Sequence, residues 1–220
     1  MDVIEVRALF AELSRQLGAD LSKLWATDGL DSAEFRALIE EAFPELVLPY
    51  SAAASEIAAE WYDSTPTTST GYRVKQGDLP SVERLASSAQ WALNVGNAAS
   101  GLTMLQGVAT RAVLDGARDT IMTNVRGEKG ARWSRYASAS TKCAFCRMLA
   151  TRDNYLSEAT AGFDAHDNCK CIPAMIRPGQ QHQQPAYLDR WQEQYQQARR
   201  DAGSSDPKAI LAAWDRLITT

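Results

Sequence analysis

Four cysteines and one of the chain's two histidines fall within a single short stretch. They read Cys143-Ala-Phe-Cys146, then His166-Asp-Asn-Cys169-Lys-Cys171. The spacing is C-x2-C … H-x2-C-x-C. Zinc takes four thiolate or imidazole ligands in a tetrahedron, and close sequence pairs form the knuckles that hold it. Cys143 and Cys146 supply one such pair, and His166 and Cys169 supply a second. Cys171 is a fifth donor that could replace His166 or Cys169. Cys169 and Cys171 alternate, so on a strand both would face one side. Two disulfides, or thiols kept reduced by packing, are the other chemistries open to this cluster.

A nucleophilic site is the competing use. Proteolysis needs a nucleophile, a base and an oxyanion site. Ser138, Ser140 and Cys143 are the candidate nucleophiles, and His166 is the one base placed near them. Asp164 or Asp167 could orient its ring. His182 stands in a Gln-rich run and is read as inert. There is no G-x-S-x-G elbow and no H-E-x-x-H helix. A Cys143/His166 dyad is conceivable, but a thiolate among three other cysteines and a histidine reads better as a ligand.

Charge around the cluster is uneven. Met1 to Pro66 carries thirteen acidic and four basic side chains. Arg126 to Arg152 carries seven basic residues and one acidic, Glu128. Arg132, Arg135, Lys142, Arg147 and Arg152 therefore form a candidate basic patch for phosphate or an acidic protein surface. The plainer alternative is a solvated face that pairs with the acidic N-terminal region. Net charge over the 220 residues is −4, which argues against the whole chain being a nucleic-acid binder. A regulatory zinc-binding DNA module fits poorly, since no recognition helix follows the knuckle.

The elements that must position these residues are mostly helical. Leu9, Leu13, Leu17, Leu21 and Leu24 recur at helical steps, with Gly18 expected to interrupt them. Asp31 or Ser32 is the expected cap of a second helix, striped with Phe35, Leu38, Ile39, Ala42 and Phe43. Pro44 and Pro49 should end or kink it, because each lacks an amide donor. A further helix is expected from Tyr50 to Tyr62. Ser64 to Pro80 is polar and reads as a long loop or hinge. Ser81 caps the next helix, and a long one follows to Val125, weakened by Gly101, Gly107 and Gly116 unless close packing needs them.

After the turn at Gly127–Gly130 the pattern alternates, which predicts a strand over Ala131 to Ser138. Thr141 to Arg152 reads as a short helix. Lys170 to Ile176 reads as a second strand, at an edge because of Pro173. Two tail helices follow a Pro/Gln/Gly linker. Asp206-Pro207 opens the last one, and Trp191 and Trp214 are either hairpin core or partner anchors. The expected fold is mainly α with a small α+β Cys/His-rich module near the C-terminus. Three parts are expected: a helical domain over 1–126, a Cys/His mini-domain over 127–177, and a linker with tail helices over 178–220.

Composition is that of an ordinary globular protein, with 45% hydrophobic and 23% charged residues. No apolar run is long enough to span a membrane. The N-terminus shows no basic and apolar signal pattern, so a reducing cytoplasm is expected, where C-x2-C pairs favour metals over disulfides. No internal repeat, P-loop or dinucleotide fingerprint is present.

The run W-S-R-Y-A-S … C-A-F-C-R-M-L-A-T-R, followed by H-D-N-C-K-C-I-P, resembles the signature of phage Mu F-like head morphogenesis proteins. The likeness is to forms from actinobacterial phages. It rests on Cys143, Cys146, Leu149, Gly162, His166, Cys169 and Cys171, and it spans about Trp133 to Ile176, a fifth of the chain. The resemblance implies a minor capsid protein, present in few copies, acting at or near the portal during procapsid assembly. The expected partners are then the portal protein and the scaffold or major capsid protein. The expected location is the host cytoplasm and then the capsid interior. Proteins with this signature are also often labelled capsid maturation proteases, which is the alternative activity. Longer members carry a C-terminal effector domain, and a chain without one is not expected to act as a toxin or an ADP-ribosyltransferase.

Overall fold

A computed structural model describes residues 1–26, 33–96, 100–151, 162–163, 165–181 and 185–219. Among these the order is α1 (Val3–Trp25), α2 (Ala33–Ser64), α3 (Val82–Val95), α4 (Gly101–Gly127), β1 (Arg132–Tyr136), α5 (Ala144–Ala150), β2 (Ile172–Ile176), α6 (Tyr187–Ala202) and α7 (Pro207–Thr219). The fold is mainly helical, with one small sheet and a Cys/His cluster in its C-terminal part. Asp31, Ser32, Arg152, Asp164 and His182 lie outside the described residues.

α1 starts on a reciprocal cap. The Asp2 carboxylate accepts from the amides of Ile4 and Glu5, and Glu5 accepts from the amide of Asp2. The helix runs through Gly18 without a break, contrary to expectation. One glycine costs only about 1 kcal/mol in a helix, and Val6, Phe10, Leu17, Leu21 and Trp25 are buried on the inner face. Leu9, expected there, is exposed, and Phe10 takes its place.

The larger correction is α2. Pro44 and Pro49 do not end it, and the two expected helices are one of 32 residues. Each proline frees the carbonyl four residues earlier. Those carbonyls belong to Glu40 and Glu45, on positions that reach solvent. Burial of Phe35, Ile39, Phe43, Val47, Ala54, Ala58, Trp61 and Tyr62 along the same helix offsets the loss.

α4 crosses α2 closely. A Cβ added at Gly116 would sit 2.6 Å from the Ser51 carbonyl oxygen, so only glycine lets the backbones approach. This answers the question the glycines raised. Ser51 Oγ donates to the Ala112 carbonyl at 2.9 Å, and Ser55 and Thr120 share a buried hydrogen bond.

The segment from Thr65 to Ser81 has no regular structure, as expected, but it is strapped rather than hinged. Asn124 of α4 receives the Lys75 amide at 2.8 Å and donates to the Lys75 carbonyl at 2.7 Å. Tyr72 donates to the same Asn124, and the Gly77 amide donates to Thr120. The Thr68 amide donates to the Pro178 carbonyl.

β1 and β2 pair antiparallel, with Arg132 opposite Ile176 and Tyr136 opposite Ile172. A lone two-stranded sheet is marginal in water. Here Trp133, Ile172 and Met175 join the core built by α1–α4. An ion pair secures the join. Arg177, just past β2, donates two parallel bonds of 2.9 Å to Glu128. It also donates to the carbonyls of Tyr62 and Thr65 at 2.8 Å, capping the end of α2. Tyr62 donates to Glu128 at 2.7 Å. Burial would push the Glu128 carboxyl up, yet Arg177 and Tyr62 hold it below the usual carboxylate range.

α6 and α7 form a hairpin whose turn places Gly203 at φ 57°. Their buried faces, Leu188, Trp191, Ile210 and Trp214, form a second core with Ala144, Cys146, Cys169 and Cys171. Both tryptophans are fully buried, so hairpin core is what they are. No described helix is long and apolar enough to cross a membrane.

Candidate metal centre

Two knuckles meet between the sheet and the tail hairpin. The first comes from the start of α5. Cys143 is the N-cap, and its Sγ accepts from the Cys146 amide. The second is a turn before β2. The Cys169 amide donates to the His166 carbonyl at 3.0 Å, and Asn168 adopts φ 61° to make the turn. Cys169 and Cys171 thus precede the strand, which begins at Ile172. They reach one site through the turn and not through strand alternation.

The five donors form two overlapping triads, Cys143/Cys146/His166 and Cys146/Cys169/Cys171. Within each, the ligand atoms lie within 4.8 Å of one another. Cys146 belongs to both. Its Sγ is 3.6 Å from Cys169 Sγ and 3.7 Å from His166 Nε2, and Cys143 Sγ is 3.2 Å from His166 Nε2. With Zn–S bonds of about 2.3 Å and Zn–N of about 2.0 Å, a tetrahedron separates two sulfurs by about 3.8 Å and a sulfur and nitrogen by about 3.5 Å. The observed separations scatter around those values. All four cysteines are free thiols.

The histidine is oriented as a ligand should be. Nε2 faces the thiols, while Nδ1 lies 2.7 Å from the Asp167 carbonyl oxygen. A backbone acceptor on the far nitrogen fixes the tautomer that leaves Nε2 a lone pair. The thiols share their protons unevenly. Cys143 is drawn down to about 5, first by its hydrogen bond with Cys146 and, against the effect of burial, by the Cys146 amide and His166. Cys169 is drawn well below the thiol range by Cys146 and Cys171, with the charge of Arg118 helping. Cys146 is pushed up by its contacts with Cys143 and Cys169. For Cys171 the Cys146 contact works downwards, but Cys169 and burial push the thiol up to about 12. Thiols that compete for protons at such short range form an arrangement in which one metal ion can take the place of the shared protons. The cluster can hold a metal ion, and its sulfur and imidazole donors suit a soft or borderline cation better than calcium or magnesium.

The expected basic patch comes apart. Arg135 is buried, with its guanidinium 3.7 Å from the centre of the Phe163 ring. Arg147 is half-buried. It donates to the Thr141 carbonyl and to Gln194 of α6, and stacks over Trp191 at 5.0 Å. Arg132 is half-buried and Lys142 is exposed. Arg152 lies outside the described residues. A sequence count of charges does not see that Arg135 and Arg147 stack on the rings of Phe163 and Trp191.

Ser138 and Ser140 bond to each other at 3.0 Å. Arg111, Asp115 and Arg118 were not anticipated. They lie on one face of α4, where Arg111 and Arg118 contact the second knuckle and Asp115 pairs with both arginines. The available signal was three charged residues at i, i+4 and i+7, the spacing that places them on one helix face.

Comparison with curated proteins and with solved structures finds no match. The profile of the VG15 protein family matches residues 1–198, which takes in α1 through β2, the whole Cys/His cluster and most of α6. The chain therefore belongs to the VG15 protein family, a family of viral gene proteins, and this membership points to a phage protein.

Proposed function

We propose that the chain is a phage minor capsid protein that acts at or near the portal during procapsid assembly. Its Cys/His cluster would hold a structural zinc ion. The observation that carries this reading is the placement of both knuckles. The segment resembling head morphogenesis proteins folds as a five-donor cluster in which Cys146, Cys169 and Cys171 are buried, Cys143 is half-buried and His166 is exposed, packed against the tail hairpin. Such a cluster ties distant segments together. Family membership over residues 1–198 supports a role in the virus particle. Cys143, Cys146, His166 and Cys169 would hold the ion, with Cys171 able to replace His166 or Cys169. The zinc would act as a crosslink. The helices would bind portal, scaffold or major capsid protein, and Arg132 and Lys142 remain available for acidic surfaces or packaged DNA.

One observation favours the second reading, a capsid maturation protease. Cys143 is not fully buried, and its Sγ is 3.2 Å from His166 Nε2, a spacing that suits a thiolate and its base.

One experiment separates the two. Heads assembled with the wild-type protein are purified and the protein is quantified in them by mass spectrometry. In parallel, the purified protein is incubated with scaffold and major capsid protein. Incorporation in few copies with no cleavage supports the assembly role. Cleavage abolished by Cys143→Ala replaces it with the protease, and absence from heads without cleavage refutes both.

A further inference from the structure

One face of α4 is built around the second knuckle. Arg118 is buried and spreads its guanidinium over two backbone carbonyls of the cysteine turn. Its Nη2 donates to Cys169 O at 2.7 Å and to Cys171 O at 2.8 Å, and its Nε donates to Cys171 O at 3.0 Å. Its Nη1 donates to Asp115 at 3.0 Å. Asp115 also pairs with Arg111, whose Nη1 reaches Asp167, beside His166, at 3.4 Å. One turn back, a Cβ at Gly107 would stand 3.1 Å from the Asn168 side chain. Residues 107, 111, 115 and 118 share a helix face, and together they touch the turn at its start, middle and end. From α1, Arg7 Nε donates to Lys170 O at 3.1 Å.

We infer that Arg118 is a positioning residue for the metal centre, setting the geometry and net charge of the Cys169–Cys171 knuckle from the helical bundle. The inference rests on the reading of the cluster as a zinc site. Two chemical reasons support it. A zinc ion with three thiolates and one imidazole carries a net charge of −1, and a buried guanidinium next to it offsets that charge. Hydrogen bonds to ligand backbones also fix the sulfur positions before the metal arrives, which reduces the ordering needed on binding. Lysine cannot reproduce the effect, because it is a point charge without the planar fork that spans two carbonyls. It follows that metal loading and seating of the turn on α4 are linked, so losing either loosens the other.

The test uses the full chain. Wild type, Arg118→Lys and Arg118→Met are compared for zinc content, for zinc retention against a chelator, and for the visible spectrum of the cobalt(II)-substituted protein. Helix content by circular dichroism reports folding. The expected result is about one zinc per wild-type chain. Retention should fall about 10- to 100-fold in Arg118→Met, the usual range for lost outer-shell contacts, and by less in Arg118→Lys. The cobalt bands of the variants should shift, because the sulfur ligands are no longer held in the same geometry. If wild type binds zinc and the folded variants retain it equally with unchanged cobalt bands, the inference is overturned. If wild type binds no zinc, the zinc reading itself fails. Should Arg118→Met not fold, Arg118→Lys carries the test, since wild-type retention there contradicts the need for the fork.

Discussion

The molecule has two cores made on different principles. The first, from α1 to α4 with Trp133, Ile172 and Met175 of the sheet, is a large apolar interior in which Phe10, Leu17, Ile39, Phe43, Tyr62 and Ile121 are fully buried. The second, around the tail hairpin, is small, and its centre mixes two tryptophans with three buried cysteines. Burial at about 25 cal/mol per Å² can hold the first core without help. The second has less to bury, and cysteine is a small side chain. It is held by directional contacts: Arg147 to Thr141 and Gln194, Tyr187 to Ala137 at 2.6 Å, and Ala144 to Asp215. A bound ion would supply there the crosslinking that burial supplies in the bundle.

The contrast is tested first where the effect is largest. Arg177→Met leaves Glu128 buried at the join between bundle and sheet without its counter-charge, with Tyr62 still donating to it. Breaking one side of such a pair costs roughly 3–5 kcal/mol, so the urea midpoint of the whole chain should fall sharply. Phe43→Ala should cost about as much, roughly 3–5 kcal/mol, through the cavity it leaves, with the loss confined to the bundle's own transition.

Cys146→Ser removes the one sulfur common to both triads. It should release bound metal and loosen the α6–α7 hairpin, seen as faster amide exchange there, while exchange in α2 and α4 stays slow. Equal loosening of both regions would mean that the two cores are one cooperative unit.

A smaller effect concerns acid. In the folded chain Glu128 is held below its ordinary range, so the folded state binds fewer protons than the unfolded state. Its contribution is complete above that range and is lost as pH falls through the folded value. A pH titration of stability should therefore flatten at its acid end in Glu128→Gln, while acid release of metal from the thiolates persists. The smallest predicted change is Asp2→Ala, which removes the cap of α1 and should cost about 1 kcal/mol by thermal melting.

Much of this was legible in the sequence where one residue type has one use. The cysteine spacing marked the site, the Ser81 and Asp206-Pro207 starts appear as read, and β1 and β2 lie within their expected spans. What stayed hidden depends on contacts between distant segments. Local rules stop a helix at Pro44, but burial on both sides of it carries α2 onward. The sequence does not show that Asn124 is the partner of the Thr65–Ser81 strap. Nor does it show that Arg118 and Arg177, separated from their acceptors by 51 and 49 residues, serve the knuckle and the sheet. Arg135 and Arg147 read as surface charge because a count of charges cannot see what stacks on them.

The most direct measurement is metal analysis of the protein purified under reducing conditions, beside its Cys146→Ser variant. The account predicts about one zinc ion per wild-type chain and none retained in the variant, with the helical bundle still folded. A reduced, folded wild-type chain that holds no metal at zinc concentrations sufficient for ordinary structural sites would contradict it.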